Sequence, residues 1–229
     1  MMRGLPLIVT RPEPGNAATV ERARVLGLDA GAMPLFAAHP LSWEVPRAAD
    51  FDALLLTSAQ AVRLAGPALA NLSSLPVHAV GAATAEAAEA AGLTVVRVGP
   101  ADAQSLLDGM TSENIRRILW LCGRDRSELD PHGAMLEPLP CYAVDPVDPP
   151  AEWAAQIAAP AVILAHSARA ARRIAALAGP ARAHLALVAI SPAVAAEAGA
   201  GWAELTASAQ PNDAAMLALA HALCHKGGK

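Results

Sequence analysis

The chain has 229 residues, is 54% hydrophobic but only 3% aromatic, and carries a formal net charge of −4. That length allows one large domain or two small ones, and the composition is globular rather than disordered. The negative balance, with 15 of the 17 basic residues being Arg, argues against bulk electrostatic binding of nucleic acid or an anionic membrane, though not against a local basic pocket.

In chain order, the opening "MMRGLPLIVTRPEPG" has too short an apolar run for a signal peptide, and Arg and Pro interrupt it. Within it "LPLIVT" reads as a buried strand. Arg11 follows, where it can brace the loop or contact an anion. "ALLLTS" and "VHAVG" read as further strands, each leading into an Ala-rich helix. Thr84, in "GAAT", is expected to cap the helix that ends near Gly92. "RILWLCG" is another strand, and the charges of "GRDRSELD" suit a salt-bridged loop better than an acid/base pair. "PLPCYAVDPV", Pro138 to Val147, holds Tyr142, the single tyrosine, and fits neither a helix nor a strand period. "AVILAHS" and "LALVAIS" complete the strands. Ser191-Pro192 is an N-cap followed by a Pro at the first helical position. His221 and His225 in "HALCH" share a helix face, and a polar helix end is favoured there over a metal site. His78 and His184 read as structural, and His39 has no evident role.

Strands alternating with helices imply parallel sheet and an α/β class. No apolar run reaches transmembrane length, since "AAQIAAPAVILAHSARAA" is broken by Gln156, Pro160 and His166. Cys122, Cys141 and Cys224 form no CxxC pair, so neither a zinc knuckle nor a disulfide framework is expected, and a reducing cytosol fits. There is no GxGxxG, Walker A or GxSxG motif.

The chain also repeats itself. Ser58 to Ser167 spans 109 residues, Gly81 to Ser191 110, Asp102 to Asp213 111, Arg11 to Arg124 113 and Pro40 to Pro146 106. Five anchors near one offset imply two related α/β halves of about 110 residues each. Ligands of such sheets sit at the carboxyl ends of strands, against helix N-termini. Here those positions are "TSAQ", "GAAT", "HSAR" and "SPAV": small residues, hydroxyls and little charge. At any one of them plain capping is favoured, and four together suit an anionic or oxygen-rich ligand.

The ordered set "LIVTRPEPGNAATVERARVLGLDAGAMPLF", "DALLLTSAQAVR", "VHAVGAATAEAAEAAGL", "LCGRDR", "CYAVDPV", "HSARAARR" and "VAISPAVAAEA" resembles the uroporphyrinogen-III synthase family over nearly the whole chain. The resemblance implies two parallel-sheet α/β domains joined by a two-stranded connector, with the active site in the cleft between them. The first domain would take 1–35 and 147–229, the second 39–141, and the connector 36–38 and 142–146. It implies a cyclising lyase, a monomer in the cytoplasm. The enzyme would dehydrate hydroxymethylbilane, invert ring D and close the macrocycle to uroporphyrinogen III, without cofactor or metal. Partners would be the small-molecule substrate and, transiently, hydroxymethylbilane synthase. The connector tyrosine of the family, its catalytic candidate, falls on Tyr142. Substrate-binding positions fall on Thr10, Arg11, Ser58, Gly81, Thr84, Ser167, Ser191 and Pro192. At the last turn this chain departs from the family's Gly-Pro and threonine, so Ala193 and Val194 offer backbone N–H groups only. A non-catalytic tetrapyrrole or anion sensor on the same fold is the alternative, and a pure interaction protein a weaker third.

Overall fold

A computed structural model of the chain describes residues 4–99 and 102–226. The first residues of the opening run and the end of the "KGGK" tail lie outside them. The elements begin with β1 (Leu7–Val9), α1 (Gly15–Val25), β2 (Ala30–Ala32) and β3 (Phe36–Pro40). Next come β4 (Ala53–Leu56), α2 (Ala59–Leu64), β5 (Val77–Val80), α3 (Ala82–Ala90), β6 (Val95–Gly99) and α4 (Ala103–Ser112). Then follow β7 (Arg117–Gly123), β8 (Met135–Pro146), α5 (Trp153–Gln156), β9 (Val162–Ala165) and α6 (Ala168–Ala178). β10 (Ala186–Ala189), α7 (Pro192–Ala198), β11 (Glu204–Ala207) and α8 (Asp213–His225) close the chain.

The chain divides into two compact units, Met1–Ala37 with Pro146–Lys229, and Ala38–Asp145. Parallel pairing runs through the first unit's sheet in the order β11-β10-β9-β1-β2. The second sheet has the order β3-β8-β7-β4-β5-β6, and its strands from β4 to β8 are parallel.

The six apolar runs read as strands from the sequence are all strands, and their side chains show why. Every residue of Ala53–Leu56 is buried, because helices cover both faces of the sheet. Leu54 and Leu56 pack with Leu69, Leu72 and Val77 on one face, while Ala53 and Leu55 pack with Leu106, Leu107 and Met110 on the other. In the first unit Leu7 and Val9 meet Val20, Leu217 and Leu223 of α1 and α8. Each such fully buried Leu or Val contributes about 1.5–3 kcal/mol relative to exposure.

The repeat is visible in the caps. Ser58 and Ser167 cap α2 and α6, Gly81 and Ser191 stand at the starts of α3 and α7, and Asp102 and Asn212 cap α4 and α8. The third anchor therefore pairs Asp102 with Asn212, not with Asp213. Register sharpens a second anchor. Leu7 lies beside Val162 as Ile118 lies beside Ala53. Val162 and Ala53 share the 109-residue offset of Ser167 and Ser58, so Leu7 corresponds to Ile118 and Arg11 to Cys122. Arg124 falls two residues further on. With these equivalences β2-β1-β9-β10-β11 and β8-β7-β4-β5-β6 are the same spatial order.

β3 has no counterpart in that order. It lies beside β8, with Leu41 N donating to Cys141 O at 2.9 Å and Val147 N to Leu35 O at 3.1 Å. These bonds bracket the strands and make them antiparallel. They are also each other's equivalents under the 106-residue offset of Pro40 and Pro146. The prolines of β8 explain why no period was legible there. Pro138 and Pro140 fall before β3 begins to pair, where β8 is still a sheet edge and a missing N–H is harmless.

Candidate active site

In both sheets the chain leaves two adjacent strands in opposite directions. β4 leads away to β5 and β6, while its neighbour β7 leads to β8; β9 leads to β10 and β11, while its neighbour β1 leads to β2. Open α/β sheets bind ligands at the carboxyl ends of such strand pairs.

In the second unit this place holds Thr57 and Ser58 after β4, Gly123 at the end of β7, and Tyr142 from β8. Tyr142 is half-buried, and its phenol hydrogen-bonds with the Ser58 side chain. Burial pushes the phenol above its usual value, with the Ser58 hydrogen bond opposing it. The phenol is therefore protonated at neutral pH. A Cβ at Gly123 would lie 2.9 Å from Tyr142 Cζ and 3.1 Å from its hydroxyl, so the ring sits where it does because position 123 has no side chain. Backbone bonding adds a second constraint, Arg124 N donating to Tyr142 O at 2.8 Å. Ser58 Oγ also accepts from Gln60 N at 3.2 Å, and Trp120 Nε1 donates to Thr57 Oγ1 at 3.1 Å.

Beside this group, α3 starts at Gly81, whose φ of 76° lies in the left-handed region open to glycine. Thr84 is not the cap. It is a buried residue of the first turn, its N–H bonded to Gly81 O at 3.3 Å. The loop after β7 is salt-bridged as expected, but the main partner of Arg124 is Asp145 on β8, with Asp125 at 3.3 Å. His39 Nε2 reaches the same carboxylate at 2.7 Å, which supplies the role that the sequence left open. Arg124 and then His39 hold the Asp145 carboxyl down to about 2.

In the first unit Thr10 is wholly buried and its hydroxyl donates to Leu164 O at 2.9 Å, tying β1 to β9. Arg11 donates from NH1 to Asp213 Oδ1 at 3.1 Å. Ser167 Oγ accepts from Ala170 N at 3.1 Å and Ser191 Oγ from Val194 N at 3.4 Å. Pro192 is exposed at the start of α7. Asp213 stands at the start of α8 and also accepts from Thr19 at 2.5 Å, from His166 Nε2 at 3.0 Å and from Arg22. Burial would raise its pKa, but the hydrogen bonds from His166, Thr19 and Arg22 outweigh it and hold the carboxyl well below the usual range.

The structure thus brings Tyr142 and Ser58 together in one unit and Thr10, Arg11 and Ser167 into neighbouring positions in the other. Gly123, His166 and the hub role of Asp213 were missed. Asp213 had a signal, an acid directly after an Asn cap at a repeat anchor. Gly123 had none, because its need is a contact with a residue of another strand. The three cysteines are buried and free, and burial pushes Cys141 up to about 12 and Cys122 and Cys224 to about 11, far from thiolate chemistry. Among the described residues no group of three or more His, Cys, Asp or Glu could hold a metal ion, and no helix is long and apolar enough to cross a membrane.

A family model described as "Uroporphyrinogen-III synthase HemD" matches residues 17–218. No curated protein sequence matches. Among solved structures, the uroporphyrinogen-III synthetase of Helicobacter pylori is similar at a TM-score of 0.68 and 16% identity, covering 97% of this chain and 100% of that one. A mutant uroporphyrinogen III synthase of the extremely thermophilic bacterium Thermus thermophilus is similar at a TM-score of 0.52 and 18% identity, covering 95% and 98%.

Proposed function

The chain belongs to the uroporphyrinogen-III synthase family, and from that premise we propose that it is a cyclising lyase that converts hydroxymethylbilane to uroporphyrinogen III with inversion of ring D. The observation that carries the reading to particular atoms is Tyr142, protonated, hydrogen-bonded to Ser58 and seated on Gly123 at the carboxyl ends of β4 and β7.

The first step is loss of the terminal hydroxyl. The phenol of Tyr142 donates a hydrogen bond, and then its proton, to the departing hydroxyl, so that water leaves and an azafulvenium cation remains; the proton that ring D gives up on closure returns to the phenolate. The substituted carbon of ring D then attacks that cation, giving a spiro intermediate that rearranges and closes. Unguided closure at the unsubstituted carbon gives the symmetric isomer I, so the protein's main contribution is to hold the chain ends in one geometry.

The substrate carries eight carboxylates, and the protein's net charge is −4. Long-range attraction is therefore poor, and affinity must come from short-range donors. Arg11, the hydroxyls of Ser58, Ser167 and Ser191, and the N–H groups of Ala82 and Ala83 after Gly81 and of Ala193 after Pro192 are the proposed donors, since the N–H groups of Gly81 and Thr84 are engaged on Gly99 O and Gly81 O. Each exposed charge–dipole contact contributes about 0.3–1 kcal/mol, so several act together. Thr10, with its hydroxyl engaged on Leu164, serves by fixing Arg11. We further propose that the enzyme is a cytoplasmic monomer that takes its unstable substrate through transient contact with hydroxymethylbilane synthase.

The test is product analysis. Hydroxymethylbilane is supplied, the products are oxidised and the isomers separated by chromatography. Isomer III in excess is expected; isomer I alone, at the spontaneous rate, refutes the reading. A second variant tests the seat of the tyrosine. Gly123→Ala puts a methyl 2.9 Å from Tyr142 Cζ, so the ring must swing away from Ser58. A fall of about tenfold in kcat is expected, since misplacement by about 1 Å can cost more than that. Wild-type turnover by this variant would show that the phenol's position is not what matters.

A further inference from the structure

At the corresponding strand pair of the first unit stands a second polar cluster, and its make-up differs from that of an internal ion pair. Asp213 accepts from four groups: Arg11 NH1 at 3.1 Å, Thr19 Oγ1 at 2.5 Å, His166 Nε2 at 3.0 Å and Arg22. They arrive from three places, Arg11 after β1, Thr19 and Arg22 from α1 and His166 after β9, and meet Asp213 at the start of α8. Two guanidiniums face one carboxylate, so the cluster is net positive even with a neutral imidazole. The side chain of His166 is 8% exposed. Its Nε2 is used, but its Nδ1 is buried with no hydrogen-bond partner among the described residues. Unsatisfied buried groups are few in native proteins, and each calls for an explanation.

Arg11 is also held in a defined pose. Its Nε, Cζ and NH2 would lie 2.6, 2.8 and 2.9 Å from a Cβ at Gly15, so the guanidinium lies flat over that glycine. Asp213 and Thr19 share NH1, and the Arg11 side chain remains 33% exposed. Under the repeat Arg11 corresponds to Cys122 and His166 to Thr57. The second unit is therefore neutral where the first carries a cation, an imidazole and a carboxylate.

We propose that Arg11, His166 and Asp213 form a carboxylate-binding subsite of the first unit. Arg11 meets one carboxylate side chain of the substrate, and Asp213, itself braced by His166, holds the guanidinium in the receiving pose. The proposal rests on the synthase reading for the identity of the ligand, not for its carboxylate chemistry. An internal ion pair would be neutral and fully bonded. This cluster has an excess cation, a partly open guanidinium and an imidazole nitrogen in reserve, at the strand ends where such sheets take ligands.

His166→Leu and His166→Gln separate bracing from simple packing, because the Gln amide nitrogen reaches the position of Nε2 and the Leu side chain does not. With hydroxymethylbilane, His166→Leu is expected to raise KM about tenfold, the loss of roughly one charge-assisted contact, with kcat within about twofold. His166→Gln should recover most of that loss. The second readout needs no turnover: uroporphyrin I, a stable octacarboxylate, is titrated against the fluorescence of the four tryptophans. The affinity should fall about tenfold in His166→Leu and return in His166→Gln. Unchanged affinity in both variants, equal losses in both, or no uroporphyrin binding by the wild type overturns the subsite. Isomer I alone from the wild type overturns the synthase reading instead and leaves the binding result standing.

Discussion

Tyr142→Phe is expected to slow isomer-III formation by about 10- to 100-fold, the range for a positioned acid whose task water can partly take over. The substitution removes one oxygen and leaves the ring seated on Gly123, against which it packs. Its cost in stability is the neutral hydrogen bond with Ser58, about 0.5–1.5 kcal/mol. A large fall in kcat with a nearly unchanged melting temperature is thus the expected signature. The isomer ratio adds a second. In the proposed mechanism ring D is held by the binding groups and not by the phenol, so what product forms should still be mainly isomer III. Wild-type turnover would remove Tyr142 from the acid role. The pH profile has a defined sign as well. Burial raises the phenol above its ordinary value of 10.0, and the protonated form is the active one, so no loss from its ionisation should occur below that pH.

Asp213→Asn should be the most destabilising single change among the polar residues described. It keeps the shape and removes the charge that neutralises Arg11 and Arg22. Removing one partner of a fully buried ion pair costs about 3–5 kcal/mol. Here the Arg11 and Arg22 side chains are 33% and 51% exposed, and solvent screens them, so about 2 kcal/mol is the better expectation. For a chain of this size that is a drop of about 5 °C in Tm at neutral pH. The pH dependence follows from the depressed pKa of Asp213. Stability from the carboxylate is complete above its unfolded value of 3.8 and is lost as pH falls below it. The gap between the melting curves of wild type and Asp213→Asn should therefore hold from pH 7 down to near 3.8 and close on further acidification. A gap that stays constant would mean that the carboxylate's charge is not what stabilises the unit.

Much of the fold was legible because parallel strands buried on both faces must be continuously apolar, as in Leu54–Leu56 and Val162–Leu164. Edge and short strands were not. Ala30–Ala32 and Glu204–Ala207 are half-exposed and carry no run to read. β8 was hidden by its prolines, which are tolerated only because its first half lies at a sheet edge. Serine caps at Ser58, Ser167 and Ser191 were readable from local chemistry, since a hydroxyl before a helix satisfies free N–H groups wherever the helix lies. Thr84 was misread for the same local reason: a left-handed glycine can open a helix without a side-chain cap.

The sequence alone determined the α/β class, the two-fold repeat and its family resemblance, because these depend on hydrophobic period and on residue spacing along one chain. Only the tertiary structure decided what each polar side chain touches. It set Tyr142 on Gly123 and beside Ser58, joined His39 to Asp145, and gathered Arg11, Thr19, Arg22 and His166 around Asp213. The partners of Asp213 lie up to 202 residues away in sequence. No local pattern encodes such contacts, since they follow from the order in which strands are laid side by side in the sheet.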